Sequence, residues 1–264
     1  MKISLTEAPP DAPELLFLGE GAQSGYVQGA LSTGFRLTRV NAGQPLAGSQ
    51  AEQRLDEYAL IVLSDYPARN LTLSHQEAIV AAVERRGRGL LMIGGWASFG
   101  GPHGSYYGTR IAELLPVEIG AEDDRVNSPL GTVLVAQRES HPAIASIHGQ
   151  EPCVVVGYNG VRGRAGATVL VEGHGLHVDA ALQPRLEKST TPVLSVWQRG
   201  AGRVGALAPD VMPHWAGGIL DWGERRVTLP TGNEVGHLYP AFLVDLCRWL
   251  AGGPLCGIET AAVA

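Results

Sequence analysis

Two short runs without a charged residue, L-I-V-L-S at Leu60 to Ser64 and G-L-L-M-I at Gly89 to Ile93, bracket one segment of helical period. Short runs that are apolar at consecutive positions form strands buried on both faces, and such strands belong to parallel sheets joined by crossover helices. The same alternation reaches back to Leu15. Leu15 to Leu18 reads as a strand running into the Gly-rich turn Gly19 to Gly25, Tyr26 to Leu31 begins a helix, and Arg36 to Val40 reads as a second strand. Ser74-His75-Gln76-Glu77 has capping-box spacing, Ser74 accepting from free amides and Glu77 reaching back, ahead of a helix that runs to about Arg86 and stops at Gly87 and Gly89. The expected fold class is α/β, a doubly wound and mostly parallel sheet with helices on both faces.

Beyond Gly95 the texture changes. Tyr106 to Leu115 reads as a helix, but Val117 to Tyr158 holds short β-like runs broken by Pro and Gly, expected to form a β-rich insertion or extension of the sheet. Val169 to Val171, Val193 to Trp197 and Arg203 to Ala208 read as strands, with Gly200-Ala201-Gly202 suited to a tight hairpin between the last two. Phe242 to Leu250 is an amphipathic closing helix ended by Gly252-Gly253-Pro254. With 45% apolar residues in 264, one domain over 1-264 is expected, residues 1-13 and 254-264 being flexible ends.

The net charge of -6, with no Lys/Arg run longer than a pair such as Arg85-Arg86, argues against nucleic acid or an anionic membrane as partner. No apolar run approaches spanning length, and Met1 to Pro13 resembles neither a signal nor a transit peptide, so a cytoplasmic protein is expected. Cys153, Cys247 and Cys256 stand alone, without the spacing of a disulfide framework or a zinc site. His174 and His177 have H-x-x-H spacing on what reads as a loop and find no second pair, so no metal is expected. No cofactor is expected either. There is no G-x-x-x-x-G-K-[ST] phosphate loop, and Gly19-Glu20-Gly21 places Ser24 where a dinucleotide fingerprint needs its third glycine.

In an open parallel sheet the carboxyl ends of the strands carry the ligand site. Four segments fall there: Gly19 to Ser24, Ser64 to Asn70, Gly94 to Ser105 and Pro209 to Trp215. The third is the richest in glycine, which permits tight turns and close approach of backbone to a ligand. G-L-L-M-I-G-G-W-x-S-F at Gly89 to Phe99, L-L-P-V-E-I at Leu114 to Ile119, D-D-R-V at Asp123 to Val126, G-Y-N at Gly157 to Asn159 and D-x-x-P-H-W at Asp210 to Trp215 follow in order. Together they resemble a glutamine amidotransferase-like family of bacterial cytoplasmic proteins, a branch of the class I glutamine amidotransferase-like superfamily. The resemblance covers roughly Leu15 to Leu250. It implies a flavodoxin-like fold and leaves the activity open.

Working enzymes of that superfamily use a Cys nucleophile on a strand-to-helix elbow, a His after a late strand, and an acid two residues beyond the His. A thiolate beside a base, with amides to hold the oxyanion, is what the chemistry requires. The matching elbow, Gly94 to Ser98, has no cysteine, and two residues after the matching His214 stands Ala216. Glutamine hydrolysis is therefore not expected. The candidate catalytic residues are His214 and Ser98. Ser98 is one residue out of step for G-x-S-x-G and either approaches His214 or caps the following turn. His214 either binds a ligand or packs under Trp215. The candidate ligand-binding residues are Asp65, Gly94, Gly95, Trp96, Phe99, Arg125, Asp210 and Trp215. Four of them have a structural alternative: Asp65 as a loop cap, Trp96 and Phe99 as cover for the core, and Arg125, within Asp123-Asp124-Arg125, as part of a solvated turn with a local ion pair.

Three functions are compatible with these residues: a domain without the Cys nucleophile that binds a small polar metabolite or a protein partner, a hydrolase-type enzyme of different chemistry with His214 as base, and a structural subunit of a homo-oligomer. A homo-oligomer is the general expectation for soluble bacterial enzymes.

Overall fold

The computed structural model describes residues 3–21, 23–137, 139–213, 215 and 217–252. In chain order the first elements are β1 (Ile3–Ser4), β2 (Glu14–Gly19), α1 (Gly25–Ser32), β3 (Arg36–Asn41), β4 (Leu60–Ser64), α2 (Leu73–Arg86), β5 (Gly89–Ile93) and α3 (Arg110–Leu114). The chain continues through β6 (Val117–Glu118), β7 (Arg125–Ala136), β8 (Cys153–Asn159), β9 (Arg162–Gly163), β10 (Thr168–Val178), β11 (Pro184–Arg199) and β12 (Gly202–Leu207). It closes with β13 (Arg226–Thr228), β14 (Glu234–Gly236) and α4 (Leu238–Leu250).

A nine-stranded sheet runs β3-β2-β4-β5-β12-β11-β10-β7-β8. From β3 to β12 all neighbours are parallel, and from β12 to β8 all are antiparallel. The expectation of a mostly parallel, doubly wound, flavodoxin-like sheet is thereby overturned. The sheet is mixed, and β12 is its hinge, parallel to β5 on one side and antiparallel to β11 on the other. The change of direction follows from the two-residue turn Gly200-Ala201, which returns β11 into β12 with Gly200 at φ +57 where a side chain would meet the Glu84 backbone. At the far end the Asn159 N–H donates to the Ala208 carbonyl at 3.0 Å, so β8, last in the sheet order, curls back onto the end of β12.

The parallel strands are buried on both faces and sort their side chains by alternation. Leu15, Phe17, Leu60, Val62, Leu91 and Ile93 pack with α1 and α4, whereas Leu16, Leu18, Ile61, Leu63, Leu90 and Met92 pack with α2 and α3. Helix α2 begins earlier than its predicted box. Its N-cap is Thr72, whose side chain accepts from the His75 N–H at 3.2 Å, while His75 Nδ1 accepts from the Thr72 N–H at 3.1 Å. That fixes the proton on Nε2, which faces Glu52 Oε1 at 2.7 Å. The Ser74/Glu77 box loses because an imidazole serves the N-cap amide as well as a carboxylate does. The helix expected at Tyr106 to Leu115 is confined to Arg110–Leu114, capped by Thr109. Residues 3–13, expected as a loose end, are tied in: β1 pairs with β13, and the Ala8 N–H donates to the Ser32 carbonyl. The expected loose end at 254-264 lies outside the described residues.

Candidate functional site

Strands β4, β5 and β12 lie side by side, so their carboxyl ends bring Asp65, Gly94 and Asp210 to one rim of the sheet. Asp65 follows β4 directly. It is buried with φ +51, a conformation that non-glycine residues adopt rarely and that turns its side chain toward the loop after β5. Asp65 Oδ1 accepts from the Ala97 N–H at 2.5 Å, and the Asp65 N–H donates to Ser98 Oγ at 3.1 Å. Ser98 in turn donates to the Ile93 carbonyl at 2.6 Å. Both capacities of the hydroxyl are committed to the chain, and the side chain is buried.

The glycines before Ser98 are there for the backbone's approach to its own neighbours. A Cβ on Gly94 would overlap the Ala208 carbonyl, and one on Gly95, at φ +148, would overlap the Asp65 carboxylate. Gly94 is therefore pressed against the chain and not open to a ligand. The Gly95 N–H donates to Asn159 Oδ1 at 2.9 Å, Asn159 Nδ2 donates to Asp124 Oδ1 at 2.8 Å, and the Gly100 N–H donates to Asp124 Oδ2 at 2.7 Å. Three amides of the Gly-rich loop, at positions 95, 97 and 100, are thus held by Asn159, Asp65 and Asp124. Burial pushes the Asp124 carboxyl above its ordinary range, against the lowering by its bonds from Asn159 and Gly100.

Outside this knot stands Trp96, about half exposed, with the Arg125 guanidinium 4.6 Å from its ring centroid and the His103 ring stacked at 6.5 Å. Arg125 is fixed by two bonds to Asp123, Nε to Oδ1 at 2.8 Å and Nη2 to Oδ2 at 2.6 Å, and these hold the Asp123 carboxyl down at about 2. The predicted residues Asp65, Gly95, Trp96, Ser98 and Arg125 are all on this loop or against it.

Other predicted residues are placed differently. Phe99 is completely buried in the core cluster that holds Tyr66, Tyr106 and Ile119, so it belongs to the core. Trp215 is buried, its ring lies against Gly157, and its Nε1 donates to Asn127 Oδ1 at 2.9 Å, which makes it a lock between β7, β8 and the loop after β12. Asp210 is buried, with Oδ1 accepting from the Met212 N–H at 2.8 Å. It stands close enough to Tyr239 to add to the rise that burial gives that phenol. His214 and Ala216 lie outside the described residues. His174 and His177 sit in β10 and not in a loop, and His174 Nδ1 lies 3.2 Å from the Glu187 carbonyl. Among the described residues no group of three His, Cys, Asp or Glu could hold a metal ion. Asn159 and Asp124 tie the site together; G-Y-N and D-D-R-V are the sequence signals that mark them, though the sequence alternative for Asp123-Asp124-Arg125 is a solvated turn.

A model of the family described as "Putative glutamine amidotransferase" matches residues 46–227. The chain belongs to that family. No curated protein matches the sequence. Among solved structures, this glutamine amidotransferase-like chain is similar to cytoplasmic protein STM1381 from Salmonella typhimurium LT2 at 23% identity and a TM-score of 0.70, over 90% of this chain and 99% of that one. It is similar to cytoplasmic protein STM3548 from Salmonella typhimurium at 23% identity and a TM-score of 0.69, over 89% and 98%. A cold-adapted β-galactosidase from Rahnella sp. R3 shares 12% identity at a TM-score of 0.50, over 92% of this chain but 31% of that enzyme. These likenesses concern the fold alone. No described helix is long and apolar enough to cross a membrane.

Proposed function

We propose that this glutamine amidotransferase-like domain binds a small polar ligand at the rim around Trp96 and Arg125 and does not hydrolyse glutamine. The observation that carries the reading is the state of the elbow. In the elbow after β5, where the chemistry needs a free thiolate, there is no cysteine, and the hydroxyl of Ser98 is buried and bonded in both directions to Ile93 and Asp65. The loop amides that would have to turn to a developing oxyanion already serve Asp65, Asn159 and Asp124. The described cysteines offer no substitute: Cys153 and Cys247 are buried, and burial pushes the Cys153 thiol up to about 12 and the Cys247 thiol up as well. Binding remains open to the rim because Trp96 and Arg125 are held in place and Trp96 keeps an exposed face.

The test is ammonia release from glutamine by the purified chain, coupled to glutamate dehydrogenase, beside Ser98→Ala. The expected result is no release above the protein-free rate from either protein. Turnover by the wild type that disappears in Ser98→Ala overturns the reading.

A further inference from the structure

On the flank of the Gly-rich loop opens a groove of about 410 Å³, lined by Gly100, Pro102, Ser105 and Tyr107 of that loop and by Glu122 and Asp123. We infer that this groove takes a primary organic ammonium ion, at a place beyond the Trp96 and Arg125 rim of the binding reading above. The argument begins with what the groove cannot offer an anion. The Gly100 N–H on its wall is already bonded to Asp124, and the Arg125 guanidinium behind it is bonded twice to Asp123. Arg69, a cation of the segment after β4, donates to the His103 carbonyl.

What is left free is acidic and aromatic. Glu122 is exposed and has no ion pair or hydrogen bond among the described residues, and Tyr107 is 60% exposed with no partner for its ring or hydroxyl. A carboxylate and an uncovered aromatic ring lining one groove are the two groups that hold alkylammonium ions, one by charge and the other by its quadrupole. Ser105 adds an acceptor: its hydroxyl donates to the Pro102 carbonyl at 3.3 Å, so its lone pairs remain for an ammonium N–H. Its backbone is held at φ +55 by bonds from the Ser105 N–H to the Gly101 carbonyl and from the Tyr106 N–H to the Phe99 carbonyl, which sets the wall before any ligand arrives. The ring of Pro102 supplies apolar surface for the alkyl chain. The charge of the wall agrees: Asp123 is paired with Arg125, and Glu122 beside it in the chain adds a carboxylate with no such pair among the described residues.

The experiment is a calorimetric titration of the full chain with n-butylammonium chloride at low salt, beside n-butanol and sodium butyrate as neutral and anionic analogues of the same length. One saturable site for butylammonium is expected, absent for both analogues, and weakened at least tenfold, about 1.4 kcal/mol, in Glu122→Gln and in Tyr107→Ala. Both substitutions are at exposed positions, and unchanged far-UV circular dichroism shows that the fold is intact. Glu118→Gln, on the exposed side of β6, is expected to bind as the wild type does. No saturable butylammonium binding at millimolar concentration, equal binding of butanol or butyrate, or full affinity in Glu122→Gln overturns the inference. Each of those results leaves the absence of glutamine hydrolysis untouched, because the ammonia assay reads that separately.

Discussion

Replacing Asn159 by Asp changes one nitrogen to oxygen and sets two carboxyls against each other. Asn159 is completely buried, with Oδ1 on the Gly95 N–H at 2.9 Å and Nδ2 on Asp124 at 2.8 Å. In Asn159→Asp the bond from Gly95 survives, but the group facing Asp124 is now an acceptor. At such a separation two charges repel by about 6 kcal/mol even at an effective dielectric of about 20, so the pair keeps one proton instead. Holding that proton at pH 7 against an unfolded-state pKa of about 3.9 costs about 4 kcal/mol, and at pH 5 about 1.5 kcal/mol. The sign follows from linkage: the folded-state pKa of the pair is raised, the folded variant binds more protons than the unfolded one, and its stability falls as pH rises through that range. Urea unfolding of both proteins at pH 5 and pH 7 measures it. The variant is expected to lose stability relative to the wild type at both values, by about 2.5 kcal/mol more at pH 7 than at pH 5. An equal loss at both pH values, or a loss under about 1 kcal/mol at pH 7, would refute the bridge from Gly95 through Asn159 to Asp124.

Gly94→Ala is expected to destabilise by about 3 kcal/mol or more, because its Cβ meets the Ala208 carbonyl, whereas Gly108→Ala, at φ +73 with open space around it, is expected to lose only about 1–2 kcal/mol; chemical denaturation separates the two. Trp96→Ala removes a half-exposed ring, so unfolding measurements are expected to show a loss of about 1 kcal/mol or less. Ser98→Ala leaves the buried Ile93 carbonyl and Asp65 N–H short of a partner, and a loss of about 1–3 kcal/mol is expected in the same assay. Iodoacetamide at pH 8 is expected to leave Cys153 and Cys247 unmodified in the native protein and to modify both in denaturant, as read by peptide mass spectrometry.

The parallel half of the sheet was legible because its strands are buried on both faces: the runs Leu60–Ser64 and Gly89–Ile93 are the observed strands to the residue. The antiparallel half was not. Strand β11 extends over Pro184–Arg199, but only Val193 to Trp197 stands out in the sequence, since Glu187, Lys188 and Thr190 lie on an exposed stretch that no core constrains. Pairing direction is invisible in local pattern as well: the apolar stretch of β12 reads the same whether its neighbours are parallel or antiparallel, and this is where the flavodoxin-like expectation failed. In the site, Asp65 and Ser98 were legible as residues after buried strands, and the structure joins them through backbone amides. The bridging role of Asn159 was not, because an Asn that ends a strand has the same local sequence as one that spans to another loop.

The most direct test of the central claim, that the elbow after β5 carries no working nucleophile, is intact-mass spectrometry after incubation with 6-diazo-5-oxo-norleucine, a glutamine analogue that alkylates an activated nucleophile in place. The account predicts an unchanged mass at an excess of reagent. A stoichiometric adduct that maps to Ser98 would contradict it.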